Sequence, residues 1–339
     1  MTAILAHSRS EHFGLRPMDP MRDLGGVADL IEASFANDLD RSGQSALREL
    51  RWLSRFKPML WWMVYFSAEY TDFLSGFVWE EYGKVVGNIT INRTSIGSRR
   101  WLISNLAVSE NYQGRGIGRS LMDAGVELVK EYGGLSISLQ VRADNVPAKR
   151  LYQSLGFKQI SGTTFLQIGH VPRIREIHQL PPIPQGVILR PHNFNLQDAS
   201  RAYDLASATT PPAAQKEWPL YRRSFQLGSQ ERINNFFRRL VGIGPSAHWV
   251  IEENQRFVGL MDIQPGAFKQ THQLRLIIHP DWRGYLEKAL IGRALDYLYL
   301  WRSRGITIKH PANHIEAIEA YKEFGFQEKQ TLLWMKREI

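Results

Sequence analysis

The chain repeats itself, and that constrains its fold more than any other feature. Gly14-Leu15-Arg16-Pro17 resembles Ile188-Leu189-Arg190-Pro191, and each precedes a helical stretch, Leu24 to Phe35 and Leu196 to Ala206. In each half two β-rich runs follow. The first pair is Gly76 to Glu81 and Val85 to Ile91, joined by Tyr82-Gly83-Lys84; the second is His248 to Glu253 and Phe257 to Ile263, joined by Asn254-Gln255-Arg256. Short polar turns between such runs predict antiparallel hairpins. Further on, Leu151-Tyr152-Gln153-Ser154-Leu155-Gly156-Phe157 matches Ala320-Tyr321-Lys322-Glu323-Phe324-Gly325-Phe326, each ending an amphipathic helix. Matches in the same order predict two similar α+β units in tandem. The proline-rich stretch Gln179 to Gly186 reads as a semi-rigid linker between them, because proline cannot continue a helix. The expected domains are 14–170 and 187–339, and 339 residues suffice for both.

With 43% hydrophobic and 22% charged residues the composition is globular. Zero cysteines exclude disulfides, thiolate zinc sites and a cysteine nucleophile, and suit a reducing compartment. No apolar run approaches the ~20 residues that span a bilayer, and Met1 to Arg9 lacks the pattern of a signal peptide. A cytoplasmic location is expected. Net charge is +9, with 19 Lys+Arg against 17 Asp+Glu in residues 1–170 and 23 against 16 in residues 171–339. The basic charges are dispersed, so no specific nucleic-acid partner is expected. Nothing in the residues fixes an oligomeric state.

Between the strand-like run Trp101 to Val108 and the helix-like run from Ser120 to Val129 lies Gln113-Gly114-Arg115-Gly116-Ile117-Gly118. A glycine-rich turn of this kind aims backbone N–H groups at one spot, at the positive end of a helix dipole, and favours a phosphate or pyrophosphate there. A Cβ would obstruct the ligand or forbid the backbone angles.

With Asp144-Asn145, Ala148, Tyr152 and Gly156-Phe157 downstream, the first half resembles the GNAT superfamily of acyl-CoA-dependent N-acyltransferases, from about Gly14 to Ile168. The resemblance implies a mixed, mostly antiparallel sheet flanked by helices in each of two GNAT-like domains, splayed between the fourth and fifth strands. Acyl-CoA, typically acetyl-CoA, would be a co-substrate without a metal. Leu106, Ala107 and Val108 would present backbone groups to its pantetheine arm. The backbone of Gln113, Gly114, Arg115, Gly116, Ile117, Gly118 and Arg119 would hold its pyrophosphate, with charge from Arg115 and Arg119. Asn145 would bond the pantetheine or fix the exit of the fifth strand, and it also suits a helix N-cap before Val146-Pro147. Tyr152 would protonate the departing thiolate, since a phenol of pKa ~10 stays protonated at neutral pH.

The implied reaction moves an acyl group to a primary amine within a ternary complex, with a backbone N–H near Val108 polarising the carbonyl. Many relatives carry a glutamate base where this chain has Asn105. Glu80, Glu81, Asp38 and Asp40 are alternative carboxylates, and surface roles suit each as well. The aromatic stretch Trp52 to Trp79 falls where relatives build the acceptor wall, and core packing explains it equally. In the second half Arg283-Gly284 fits the opening of the glycine motif, but Leu286 and Lys288 replace Gly116 and Gly118, and His314 aligns with Asn145. That copy reads as degenerate. A non-catalytic CoA-sensing or interaction protein, and an acyltransferase acting on a peptide or protein amine, remain the competing readings.

Overall fold

The computed structural model of the protein describes residues 13–35, 48, 51, 75–95, 97–173, 181–193, 195–267, 270–301 and 304–339. The chain forms an α+β fold of mixed sheets flanked by helices and divides into two compact units. Unit one comprises Met1–Gln140, Pro147–Lys158 and Met335–Ile339; unit two comprises Val141–Val146 and Gln159–Trp334. Among the described residues no helix is long and apolar enough to cross a membrane.

In unit one, β1 (Gly14–Pro17), β2 (Gly76–Glu81), β3 (Lys84–Arg93) and β4 (Arg100–Val108) pair antiparallel in that order, and β5 (Ser136–Arg142) joins β4 in parallel. Tyr82 and Gly83 both have positive φ, 50° and 72°, the sign pattern of the type I′ turn that matches strand twist. Helix α1 (Pro20–Phe35) lays Val27 and Ile31 on Val78. Helix α2 (Ile117–Glu131) buries Leu121, Met122, Val126 and Val129 at helical spacing. It lies close to β3: a Cβ on Gly87 would stand 2.9 Å from Ile117 Cγ2, and one on Gly125 2.6 Å from Ile91 Cδ1. Helix α3 (Val146–Ser154) follows β5.

Unit two repeats the plan. Its strand order is β12-β6-β11-β10-β9-β8-β7, with β6 (Lys158–Ile168), β7 (Val187–Pro191), β8 (Ala247–Glu253), β9 (Arg256–Gln264), β10 (His272–Ile278), β11 (Ile306–Pro311) and β12 (Gln327–Glu338). Its helices are α4 (Leu196–Thr209), α5 (Pro212–Glu217), α6 (Ser229–Leu240), α7 (Glu287–Tyr299) and α8 (Ile315–Glu323). The β8–β9 turn again has two positive φ values, at Asn254 and Gln255. Both hairpins slip register at one place, Trp79/Glu80 in one and Ile251/Glu252 in the other. Strand β6 precedes the linker yet pairs antiparallel with β11, from Ile306↔Ile168 to Pro311↔Thr163.

The arginine of each repeated Arg-Pro pair does the same work. Arg16 holds Asp23 at 2.6 and 2.7 Å and Glu80 at 2.8 Å, and Arg22 adds a bond to Glu80 at 2.6 Å. Arg190 holds Asp198 at 2.8 and 3.0 Å and Glu252 at 2.9 Å, with Arg201 on Glu252 at 3.2 Å. Each network ties the entering strand to the first helix and the second strand of its unit.

Candidate functional site

The end of β4 has one free backbone edge. Its register with β5 stops at Ile103↔Leu139, while its register with β3 continues to Gly87↔Val108. Ser109 N–H donates to Val86 O at 2.8 Å, which makes Gly87–Val108 a non-hydrogen-bonded pair of the antiparallel ladder. A residue in such a pair turns its own N–H and C=O away from the partner strand. Val108 therefore presents its backbone to the side β5 has left, and so does Leu106 two residues earlier. Ala107 alternates with them and is buried.

The glycine turn caps this edge. A 3₁₀ turn, Glu110–Tyr112, leads to Gln113, whose Nε2 donates to Val108 O at 3.1 Å. Gly114 and Gly116 have φ of +77° and +82°, a region unfavourable to any residue with a Cβ, and a Cβ at either would meet nothing within 4 Å. The first α-helical backbone bond runs from Ser120 N–H to Gly116 O at 3.0 Å. The N–H groups of Ile117, Gly118 and Arg119 precede it and lack intrahelical acceptors, as at any helix start. Ile117 itself is buried. The turn is thus an open concavity of donors at the positive helix end, and its donor set fits a pyrophosphate.

Tyr152 sits beside this turn through its own helix. A Cβ on Gly118 would stand 3.5 Å from Leu151 Cδ2 and 3.8 Å from Val108 Cγ2, so Gly118 lies between α3 and the end of β4. Arg119 donates to Ser154 Oγ at 2.6 Å, a second tie between α2 and α3. Tyr152 is 7% exposed with its ring 6.1 Å from that of Phe157, and among the described residues its hydroxyl has no hydrogen-bond partner. Burial pushes its pKa up to about 12, so the phenol keeps its proton at neutral pH.

Other residues stand differently from a bare phosphate cluster. Arg115 donates to Asn111 O at 3.1 Å and stacks on Tyr112, 4.8 Å from the ring centre. Asn145 is exposed, immediately precedes α3 and falls in the segment Val141–Val146 of unit two. Asn105 accepts a bond from Thr90 Oγ1 at 3.2 Å. Glu80 is buried and held by Arg16 and Arg22, so its carboxylate is engaged in the fold. Asp38, Asp40 and most of the aromatic stretch, Trp52 to Phe73, lie outside the described residues.

The second unit fills the equivalent concavity from within. Gly284 keeps a positive φ of +85°, but Leu286 sits at −107° and is fully buried. The Glu287 carboxylate accepts from Leu286 N–H at 3.2 Å and bonds His314 Nε2 at 2.7 Å; His314 Nδ1 then bonds His310 Nε2 at 3.0 Å. All three side chains are buried, and the His310 ring stands edge-on to Tyr321. Burial alone would raise the Glu287 pKa, yet hydrogen bonds from His314 and from nearby backbone N–H groups bring it below the usual range. Burial, with His314 and Arg283 adding to it, holds His310 down at about 3. The Tyr321 hydroxyl is buried without a partner, and burial pushes its pKa far up. Sequence alignment picked out His314 and Tyr321 only as counterparts of Asn145 and Tyr152. A buried Glu–His–His chain has no short motif to announce it.

Residues 44–157 match the profile described as the acetyltransferase (GNAT) family. A mycothiol acetyltransferase of Renibacterium salmoninarum is 28% identical over 160 residues, 47% of this chain and 44% of that protein. An N-alpha-acetyltransferase of Sulfurisphaera tokodaii is 34% identical over 94 residues, 25% of this chain and 56% of that protein. The chain thus spans about half the length of these curated relatives. The crystal structure of a GCN5-related N-acetyltransferase from Sphaerobacter thermophilus superposes with a TM-score of 0.55 at 17% identity, covering 96% of this chain and 95% of that one, which is likeness of fold.

Proposed function

From the premise that this chain belongs to the GNAT family of acetyltransferases, we propose that it is an acetyl-CoA-dependent N-acetyltransferase with one active site, in the N-terminal domain 14–170. The observation that carries this reading is the open turn Gln113–Arg119, set against the free backbone edge of Leu106 and Val108 and beside Tyr152. Acetyl-CoA, when bound, supplies an activated thioester acyl group. The backbone N–H groups of the turn would hold its pyrophosphate, with Arg115 and Arg119 at the rim. Leu106, Ala107 and Val108 would present backbone groups to its pantetheine arm, and Asn145 would bond the pantetheine or fix the exit of the fifth strand.

The chain's own residues then contribute positioning and two proton-linked roles. Val108 N–H, turned into the gap, favours negative charge on a carbonyl oxygen placed there. Tyr152 keeps a proton on its hydroxyl and would offer it, first as a hydrogen bond, to the sulfur that takes up negative charge as the thioester C–S bond breaks. Of the described candidates for the place of the glutamate that many relatives carry, Asn105 is held by Thr90, Glu80 is held by two arginines, and Glu81 accepts from Trp79 Nε1 at 3.3 Å. Removal of the amine proton goes through water or another carboxylate, and an acceptor arriving as the neutral amine is favoured. The domain 187–339 acts as a degenerate copy, because Leu286 and Glu287 fill its turn.

The engaged state of Asn105 and Glu80 also favours a second reading, a protein that binds CoA without turnover. Thiol release from acetyl-CoA, measured over small-molecule amines and peptide N-terminal amines, separates the two. Turnover with any amine class supports the transferase and names its acceptor. Tight CoA binding with no thiol released by any amine would sink the transferase in favour of the sensor.

A further inference from the structure

Helix α6 is amphipathic, and it is mounted the wrong way round for a core helix. Ile233, Phe236, Phe237 and Leu240 recur at i, i+3, i+4 and i+7, the stripe a globular helix turns to its core. Here the polar side chains face the protein. Asn235 exchanges two bonds with the backbone of Ser246, accepting from its N–H at 2.7 Å and donating to its carbonyl at 3.1 Å. Arg238 donates to the carbonyls of Gly244, at 2.9 Å, and Pro265. Glu231 reaches toward His248, 3.5 Å from Nε2. These contacts fix the helix by its polar side and leave the apolar stripe in solvent. Phe236 is 61% exposed, Phe237 58% and Leu240 66%. The two phenylalanine rings stand edge to face, 5.9 Å apart.

The stripe continues through exposed Val241 into a pocket of about 100 Å³, whose lining includes Ile243, Gly266, Trp301 and Arg304. No carboxylate lines that pocket among the described residues. Arg239 flanks the stripe, and among the described residues neither it nor Arg304 pairs with a carboxylate. Residues 171–339 carry 23 basic against 16 acidic residues. Charge decides between occupants. A second copy would bring like charges together around the stripe, whereas an anionic surface meets aromatic wedges and unpaired arginines with complementary charge.

We propose that the outward face of α6, with Arg239 and the Arg304 pocket at its C-terminal end, docks on an anionic lipid surface. The phenylalanines enter the headgroup–acyl boundary while the arginines meet lipid phosphates. The face lies in unit two and contains none of the residues assigned to acetyl transfer, so its test reads separately from the activity.

Co-sedimentation of the full chain with vesicles tests it. Vesicles of phosphatidylcholine alone should leave the protein in solution, and vesicles with about 30% phosphatidylglycerol should bind it at low salt. Phe236→Ser/Phe237→Ser should weaken that binding by about tenfold or more. Arg239→Glu/Arg304→Glu should weaken it and remove its salt dependence. All four side chains lie at the surface or a pocket rim, and circular dichroism checks that each variant is folded. Absence of binding to anionic vesicles overturns the proposal, as does equal binding to neutral ones. A dimer in light scattering that Phe236→Ser/Phe237→Ser dissociates, without vesicle binding, assigns the face to a second copy instead.

Discussion

Gln113 and Val108 are joined by a single side-chain bond, Nε2 to the backbone oxygen at 3.1 Å. It ties the start of the glycine turn to the end of β4. It also fills the Val108 carbonyl, so that the open edge of β4 presents N–H at Val108 rather than a competing acceptor. Gln113→Ala should leave the fold intact, because the residue is exposed, but loosen the turn relative to the strand. CoA affinity by calorimetry is expected to fall about five- to tenfold, the worth of one hydrogen bond of about 1 kcal/mol. An unchanged affinity would show that the turn is positioned without it.

Gly116 and Gly87 separate ligand effects from folding effects. Gly116 has φ +82° and open space where a Cβ would go, so Gly116→Ala meets no neighbour and costs about 1–2 kcal/mol of backbone strain. Its consequence should be mainly in CoA affinity, since the donors at the helix start are re-aimed. Gly87→Ala drives a Cβ to 2.9 Å from Ile117 Cγ2 and 3.1 Å from Leu121 Cδ1. Overpacking of that kind costs about 1–3 kcal/mol and should appear in urea denaturation. The reverse pattern would mean that the turn's shape is not what binds the ligand.

Tyr152→Phe removes a hydroxyl and little else, as no described residue bonds it. If Tyr152 supplies the proton, kcat should drop about a hundredfold or more while the dissociation constant for CoA stays within twofold. A Tyr pKa raised from about 10 to about 12 keeps the acid form at all working pH values, and its contribution to stability is complete below about pH 10 and lost as pH rises from there through about 12. The wild-type rate should therefore show no falling limb from this group up to about pH 10. A limb near neutrality that Tyr152→Phe abolishes would contradict the burial seen here.

Glu80→Gln tests whether that carboxylate belongs to the fold. Glu80 is nearly inaccessible between Arg16 and Arg22, and neutralising one member of a buried ion pair costs about 3–5 kcal/mol. Glu252→Gln, at the same place in unit two, should cost less because its side chain is 15% exposed. Thermal melting of both variants reads the difference. A catalytic defect in Glu80→Gln without loss of stability would return Glu80 to the list of bases.

The repeat was legible because it is written in local chemistry. Arg-Pro pairs, short polar turns and Gly-Phe helix ends each dictate backbone shape within a few residues, and both hairpins follow; their matching bulges appear only in the structure. The glycine turn was legible for the same reason. What sequence did not reveal is long-range. An alternating strand such as β6 states which face is apolar but not which partner it will pair with, so its place beside β11 has no local sign. Arg16 looked like part of a repeated tetrapeptide; its bonds to Asp23 and Glu80 depend on three elements meeting. Glu287 belongs to no motif in the sequence, and only folding brings His314 and His310 to it.

That buried chain contributes to the acid response of unit two. His310 is depressed from about 6.5 to about 3, and Glu287 also lies below its ordinary value. For both, the stability they confer is complete above the unfolded-state pKa and is lost as pH falls through the folded one. The His310 window runs from about pH 6.5 down to about pH 3 and that of Glu287 opens below about pH 4.5, so the melting temperature should decline across that range. His310→Leu removes the His310 contribution and should flatten the decline, at some cost at pH 7 because His314 loses a partner. Glu287→Gln should destabilise at pH 7 by leaving the N–H donors of Leu286 and His314 with a weaker acceptor. Melting curves of the three proteins between pH 3 and pH 8 check this. A wild-type slope unchanged by His310→Leu would show that other groups govern the acid transition.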